Sequence, residues 1–124
     1  MNPALFLENA CRALGPEDAL FFQRIAQVLA RYHTTKAPLR SIRVECGVLC
    51  GRDNAGALVV PLSCDYALWA ERAARRAEAF VALVRDNPDL KGVALWVDGK
   101  VSERLAQELG TRKIEVKTDV LSGR

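Results

Sequence analysis

The run Ser41-Ile42-Arg43-Val44-Glu45-Cys46-Gly47-Val48-Leu49-Cys50 alternates without a break, and Gly51-Arg52-Asp53-Asn54-Ala55-Gly56 and Leu58-Val59-Val60-Pro61-Leu62 follow it. Ile42, Val44, Cys46, Val48 and Cys50 fall on one face of an extended chain, the two-residue period of a half-buried strand. The middle segment is turn chemistry. The stretch therefore predicts a β-hairpin with arms at 41–50 and 58–62. Ser63 or Asp65 then offers a cap for a long helix that runs to about Asp86, where Asn87-Pro88 ends it.

On that helix Trp69, Ala73, Ala77, Phe80 and Val84 mark the buried side, widened by Ala70, Ala74 and Val81. The alanines predict close packing of helix on sheet. Arg72, Arg75, Arg76, Glu78 and Arg85 face outward, with Glu71–Arg75 and Arg75–Glu78 at helical pairing distances. Val93-Ala94-Leu95-Trp96-Val97 is a continuous apolar run, as expected of a central strand covered on both faces. After the turn at Asp98-Gly99-Lys100, Val101, Leu105 and Leu109 align on a short helix that Gly110 stops. Lys113 to Val120 alternates again, with Ile114 and Val116 inward and Glu115 and Lys117 outward, which predicts a strand nearer a sheet edge.

Toward the N-terminus, Asn2-Pro3 reads as a helix start and Gly15 as its stop, with Leu7, Cys11 and Leu14 on one face. Pro16-Glu17-Asp18 starts a second helix, whose stripe is Phe21, Phe22, Ile25, Val28, Leu29 and Tyr32. The expected fold class is α/β: two N-terminal helices, then a β-hairpin, long helix, strand, short helix and strand, forming a mixed four-stranded sheet flanked by helices. One domain is expected over residues 1–124, with a helical hairpin at 1–33 and the sheet with its helices at 41–120.

The bulk properties bound the function only loosely. Of 124 residues, 50% are hydrophobic and 27% charged, an ordinary globular composition, and the net charge is a mild +3. A committed nucleic-acid binder carries a denser basic stripe. No run approaches the roughly 18 apolar residues of a membrane span, and the first residues lack the pattern of a secretory signal. Four cysteines without regular spacing suit reduced thiols. A cytoplasmic, non-membrane protein is expected.

No catalytic motif is complete. Cys46 and Cys50, read on one continuous strand, sit roughly 13 Å apart, too far for two ligands of one zinc ion. Cys11, Cys46 and Cys50 read as small core residues. Cys64 lies near the expected helix start, where the dipole would lower its pKa. The single histidine, His33, falls at a helix end, where that dipole favours it.

Glu115-Val116-Lys117 resembles the second half of the PD-(D/E)xK nuclease motif, in which a strand aims a carboxylate and a lysine at a metal and a phosphate. Only seven residues follow Lys117, and Asp98, the nearest upstream acid, is separated from it by a helix. Solvated alternation on a strand is the simpler account.

The layout from Ser41 to Thr118, with Trp69-Ala70-Glu71-Arg72 on its long helix, resembles the zinc-dependent cytidine deaminase family. There the helix opens with a Cys- or His-Ala-Glu segment whose Glu moves protons for a metal-bound water. Ala70, Glu71 and Arg72 match. Trp69 stands where the first zinc ligand would be, and Asp98-Gly99-Lys100-Val101-Ser102 replaces the expected Pro-Cys-x-x-Cys. The resemblance thus implies a deaminase-like scaffold without its metal.

The expected function is a non-catalytic binding or assembly module acting through protein–protein or small-ligand contacts, with no cofactor and with self-association or a protein partner. Phe6, Phe21 and Phe22 are the candidate interface, because they supply more aromatic surface than one sheet face absorbs. The alternative is a nucleotide- or nucleic-acid-acting enzyme or binder using the Glu115/Lys117 strand face, with Arg112, Lys113 and Lys117 as the anion-binding group.

Overall fold

The computed structural model of the chain describes residues 16–45 and 48–121, with side chains from residue 23 onward. The elements are α1 (Pro16–Thr35), β1 (Leu39–Glu45), β2 (Val48–Asp53), β3 (Ala57–Leu62), β4 (Tyr66–Ala67), α2 (Glu71–Asp86), β5 (Gly92–Val97), β6 (Lys100–Val101), α3 (Glu103–Thr111) and β7 (Ile114–Lys117). The class is α/β, with three described helices, a mixed five-stranded sheet in the order β1-β2-β3-β5-β7 and a two-stranded sheet, β4-β6. The helix expected over 2–14, and with it Phe6, lies outside the described residues.

The expected hairpin is a three-stranded meander, and the sheet has five strands where four were expected. β1 and β2 pair antiparallel with Glu45 opposite Val48, so the chain reverses between those residues. Alternation cannot reveal such a reversal, since both arms keep a period of two. The consequence is that Ile42 and Cys50 lie on opposite faces of the sheet, in separate cores, where one shared face was expected. β2 pairs with β3 through only Gly51–Val59 and Arg52–Leu58. Pro61, further along β3, has no N–H with which to extend a ladder.

β3, β5 and β7 are parallel neighbours, joined by α2 and α3. Both steps progress in the same direction across the sheet, so crossovers of one hand put both helices on the same face. There Cys50, Leu58, Val60, Val93 and Ile114 meet Ala77, Phe80, Leu105 and Leu109. On the other face α1 lays Ile25, Val28, Leu29 and Tyr32 against Ile42, Val59, Ala94 and Trp96. Residues of β5 point alternately into the two cores, which explains its unbroken apolar run. β7 is an edge strand, as its half-exposed pattern predicted.

The buried end of α1 is fixed by polar contacts. Tyr32 donates its hydroxyl to Asp53 Oδ2 at 2.6 Å, and the backbone N–H groups of Ala55 and Ala57 donate to Oδ1. Asp53 is the one charged residue buried among the described residues, and these three donors offset its desolvation. His33 Nδ1 accepts from the Leu39 N–H at 2.9 Å, closing the turn from α1 into β1.

The long helix begins later than expected. Neither Ser63 nor Asp65 caps it: Ser63 donates to Asp98, the N-cap is Ala70, and no side chain caps it. Residues 66–67 are instead drawn into β4 by pairing with β6. Gly110 does not stop the short helix, which runs to Thr111; the left-handed residue after it is Lys113, at φ 61°.

Candidate functional site

The sheet-facing residues of α2 are small in its first half and large in its second. Ala73 and Ala77 face the sheet one turn apart, and Phe80 is the first bulky residue to reach it. Between the first turns of α2, the sheet and α3 lies a cavity of about 410 Å³. Val60, Pro61 and Leu95 form its sheet side, Ala73, Ala77 and Phe80 its roof, and Leu105 and Leu109 its far wall.

The segment between β3 and α2 shapes the mouth. Asp98, nearly buried, accepts from Ser63 Oγ at 2.8 Å and from the Cys64 N–H at 2.9 Å, and Arg24 lies 3.7 Å from it. Gly99 must be glycine here, because a Cβ would stand 2.1 Å from the Cys64 carbonyl oxygen. With Cys64 pinned and β4 paired to β6, Tyr66, Leu68 and Trp69 line the opening. Tyr66 and Leu68 are two of three large hydrophobic residues exposed among those described, 57% and 65%.

The charges at this rim divide into two kinds. Arg112 is held: its guanidinium sits over the Trp69 ring, bonds Glu78, and donates to Glu108 Oε1 at 3.0 Å and to the Glu108 carbonyl at 2.8 Å. Arg72 and Arg76 also line the cavity, and among the described residues neither has an acidic partner. By contrast, Arg75 pairs with Glu71 and Arg85 with Asp86 on the same helix. Cys64 supplies the one thiol at the cavity. Burial pushes that thiol up from its ordinary value, and the Asp98 and Asp65 carboxylates push the same way. The expected lowering by a helix dipole fails because the helix starts at Glu71, not beside Cys64.

The residues singled out in the sequence scatter. Arg112 is tied to the cavity rim on the α2/α3 side. Lys117 is exposed and lies over the ring of Trp96, 4.8 Å from its centroid; Trp96 itself belongs to the core under α1. Lys113 is exposed at the turn between them. Glu115 is on the same face of β7 as Lys117. Phe21 and Phe22 are in the first turns of α1, and their side chains lie outside the described residues, as does Cys46. Glu71 is exposed and pairs with Arg75 outside the cavity. Among the described residues no three His, Cys, Asp or Glu side chains are grouped to hold a metal, and no helix is long and apolar enough to cross a membrane.

Sequence reading missed the cavity and with it Arg72 and Arg76. The available signal was their i,i+4 spacing beside Ala73 and Ala77, with no acid placed to pair with them. Comparison with protein-family models, curated proteins and solved structures returns no match.

Proposed function

We propose that this chain is a non-catalytic binding module whose ligand is a small, largely apolar molecule held between α2, α3 and the sheet. The single observation that supports this is the cavity itself. Its volume of about 410 Å³ falls in the range of small-molecule sites, roughly 300–1,000 Å³. Its walls are hydrocarbon and aromatic, so burial of a ligand's apolar surface is the driving force. Polar groups stand only at the rim, where they orient a ligand without reacting with it. Burial and the Asp98 and Asp65 carboxylates push the Cys64 thiol at the cavity up from its ordinary value, which disfavours the nucleophilic thiolate.

Thermal unfolding in the presence of neutral apolar compounds, N-phenyl-1-naphthylamine first, tests the reading. A compound at a hundred times its dissociation constant adds roughly 2.7 kcal/mol, a shift of several degrees for a domain of this size. Ala73→Trp, which places an indole inside the cavity, is expected to fold and to abolish the shift. Equal shifts in both proteins would remove the cavity as the site.

A further inference from the structure

We infer that the ligand of this cavity is an apolar molecule carrying one negative charge, and that Arg72 and Arg76 receive that charge. The inference rests on the binding reading above and assigns it a chemical class. Arg72 and Arg76 stand one helical turn apart, so their side chains project from the same stripe of α2. Two like charges at that spacing repel and weaken the helix. Their helix neighbours Arg75 and Arg85 have local acids, and Arg112 has two, yet among the described residues this pair has none. Both border the apolar cavity.

An anion at the rim relieves the repulsion and takes charge-assisted hydrogen bonds from two guanidinium groups, while its apolar body enters between Ala73, Ala77 and Leu95. The geometry also sets an upper limit on charge. Asp65 adjoins the mouth at Cys64, so a second negative charge on the ligand would meet a carboxylate there rather than a third cation. Arg112 is already committed to Glu78 and Glu108. A carboxylate or sulfonate on a hydrocarbon or aromatic body fits this pattern.

The test is fluorescence titration of the full chain with two probes of similar shape, anionic 8-anilinonaphthalene-1-sulfonate and neutral N-phenyl-1-naphthylamine, with decanoate as competitor. The anionic probe is expected to bind about tenfold tighter than the neutral one, and decanoate to displace it. Arg72→Gln with Arg76→Gln should erase that preference, the anionic probe losing about tenfold in affinity relative to the neutral one; both positions are exposed, so the fold is retained. Equal affinity of the two probes in the unaltered protein, both lost in Ala73→Trp, would overturn the charge assignment and leave the binding reading standing. A preference that survives the double change would remove these two arginines from the role. Binding of neither probe would overturn the reading and this inference together.

Discussion

The guanidinium carbon of Arg112 lies 5.1 Å from the centroid of the Trp69 ring, joining the end of α3 to the residue that precedes the first turn of α2. One side chain thereby ties α3 to α2 beside the cavity: it stacks on Trp69, reaches across to Glu78 on α2 and returns to Glu108 on its own helix. Arg112 is an anchor, and its charge is satisfied within the fold.

Replacing Arg112 with Gln should therefore loosen the mouth without collapsing the protein. Exposed ion pairs contribute little, and Glu78 is well exposed, so the loss of stability is expected to be small and to come mainly from the cation–π contact. Trp69 emission should shift to the red as the ring gains water. Trp96, the other of the two tryptophans, is buried and provides a steady background. An unchanged spectrum would mean that Trp69 is held by something else.

The buried Tyr32–Asp53 contact gives the fold an alkaline limit. Burial and the hydrogen bond to Asp53 raise the Tyr32 pKa well above its ordinary value of 10.0. The folded state then holds this proton more tightly than the unfolded chain. The stabilisation is complete below about pH 10 and is lost as pH rises toward the folded-state pKa, at up to about 1.4 kcal/mol per pH unit. Tyr32→Phe leaves Asp53 one donor short and should cost about 1–3 kcal/mol at neutral pH. Urea titrations from pH 7 to 11 should show the difference between the two proteins shrinking above pH 10; a constant difference would dissociate this pair from the effect.

Cys64 should alkylate slowly. With its thiol pushed up from 9.0 by burial and two carboxylates, the reactive thiolate is scarce at neutral pH. In a Cys11→Ser, Cys46→Ser background, the iodoacetamide rate at pH 7.5 should fall below that of free cysteine and still be climbing past pH 9. A bound cavity ligand should slow it further. A rate that levels off below pH 8 would point to a lowered pKa instead.

Lys113 carries strain that glycine would release. A non-glycine residue at φ 61° costs roughly 1 kcal/mol, offset in part by the extra freedom glycine gives the unfolded chain. Lys113→Gly should raise stability by about 0.5 kcal/mol and leave probe binding at the cavity unaltered. Lower stability would mean that the exposed lysine side chain makes a contact worth more than the strain.

Much of the fold was legible because its signals are local. The stripe Ile25-Val28-Leu29-Tyr32 and the run 93–97 each specify an element from its own periodicity. The antiparallel pairing of β1 with β2 was hidden because alternating residues look alike on one long strand and on two paired ones. Ala70 as helix start was equally obscure: what ends the preceding segment is pairing with Lys100 and Val101, more than thirty residues away.

The candidate site lay still further from sequence reach. Arg112 and Lys117 share a short segment and were grouped by proximity along the chain, yet they stand over different tryptophans on different faces of the sheet. Arg72 and Arg76 were read as solvated surface: the lack of an acid at pairing distance sets them apart from Arg75, but the apolar space beside them is not visible along the chain.

The sequence alone thus determined the apolar stripes of the three helices and the strands β3, β5 and β7, since these follow from the 3.6- and 2-residue periods and from end signals carried by neighbouring residues. Only the tertiary structure decided the strand order, the partners of each charge and the existence of the cavity. Those depend on the space left between α2, α3 and the sheet after each has packed, a quantity that no one segment contains.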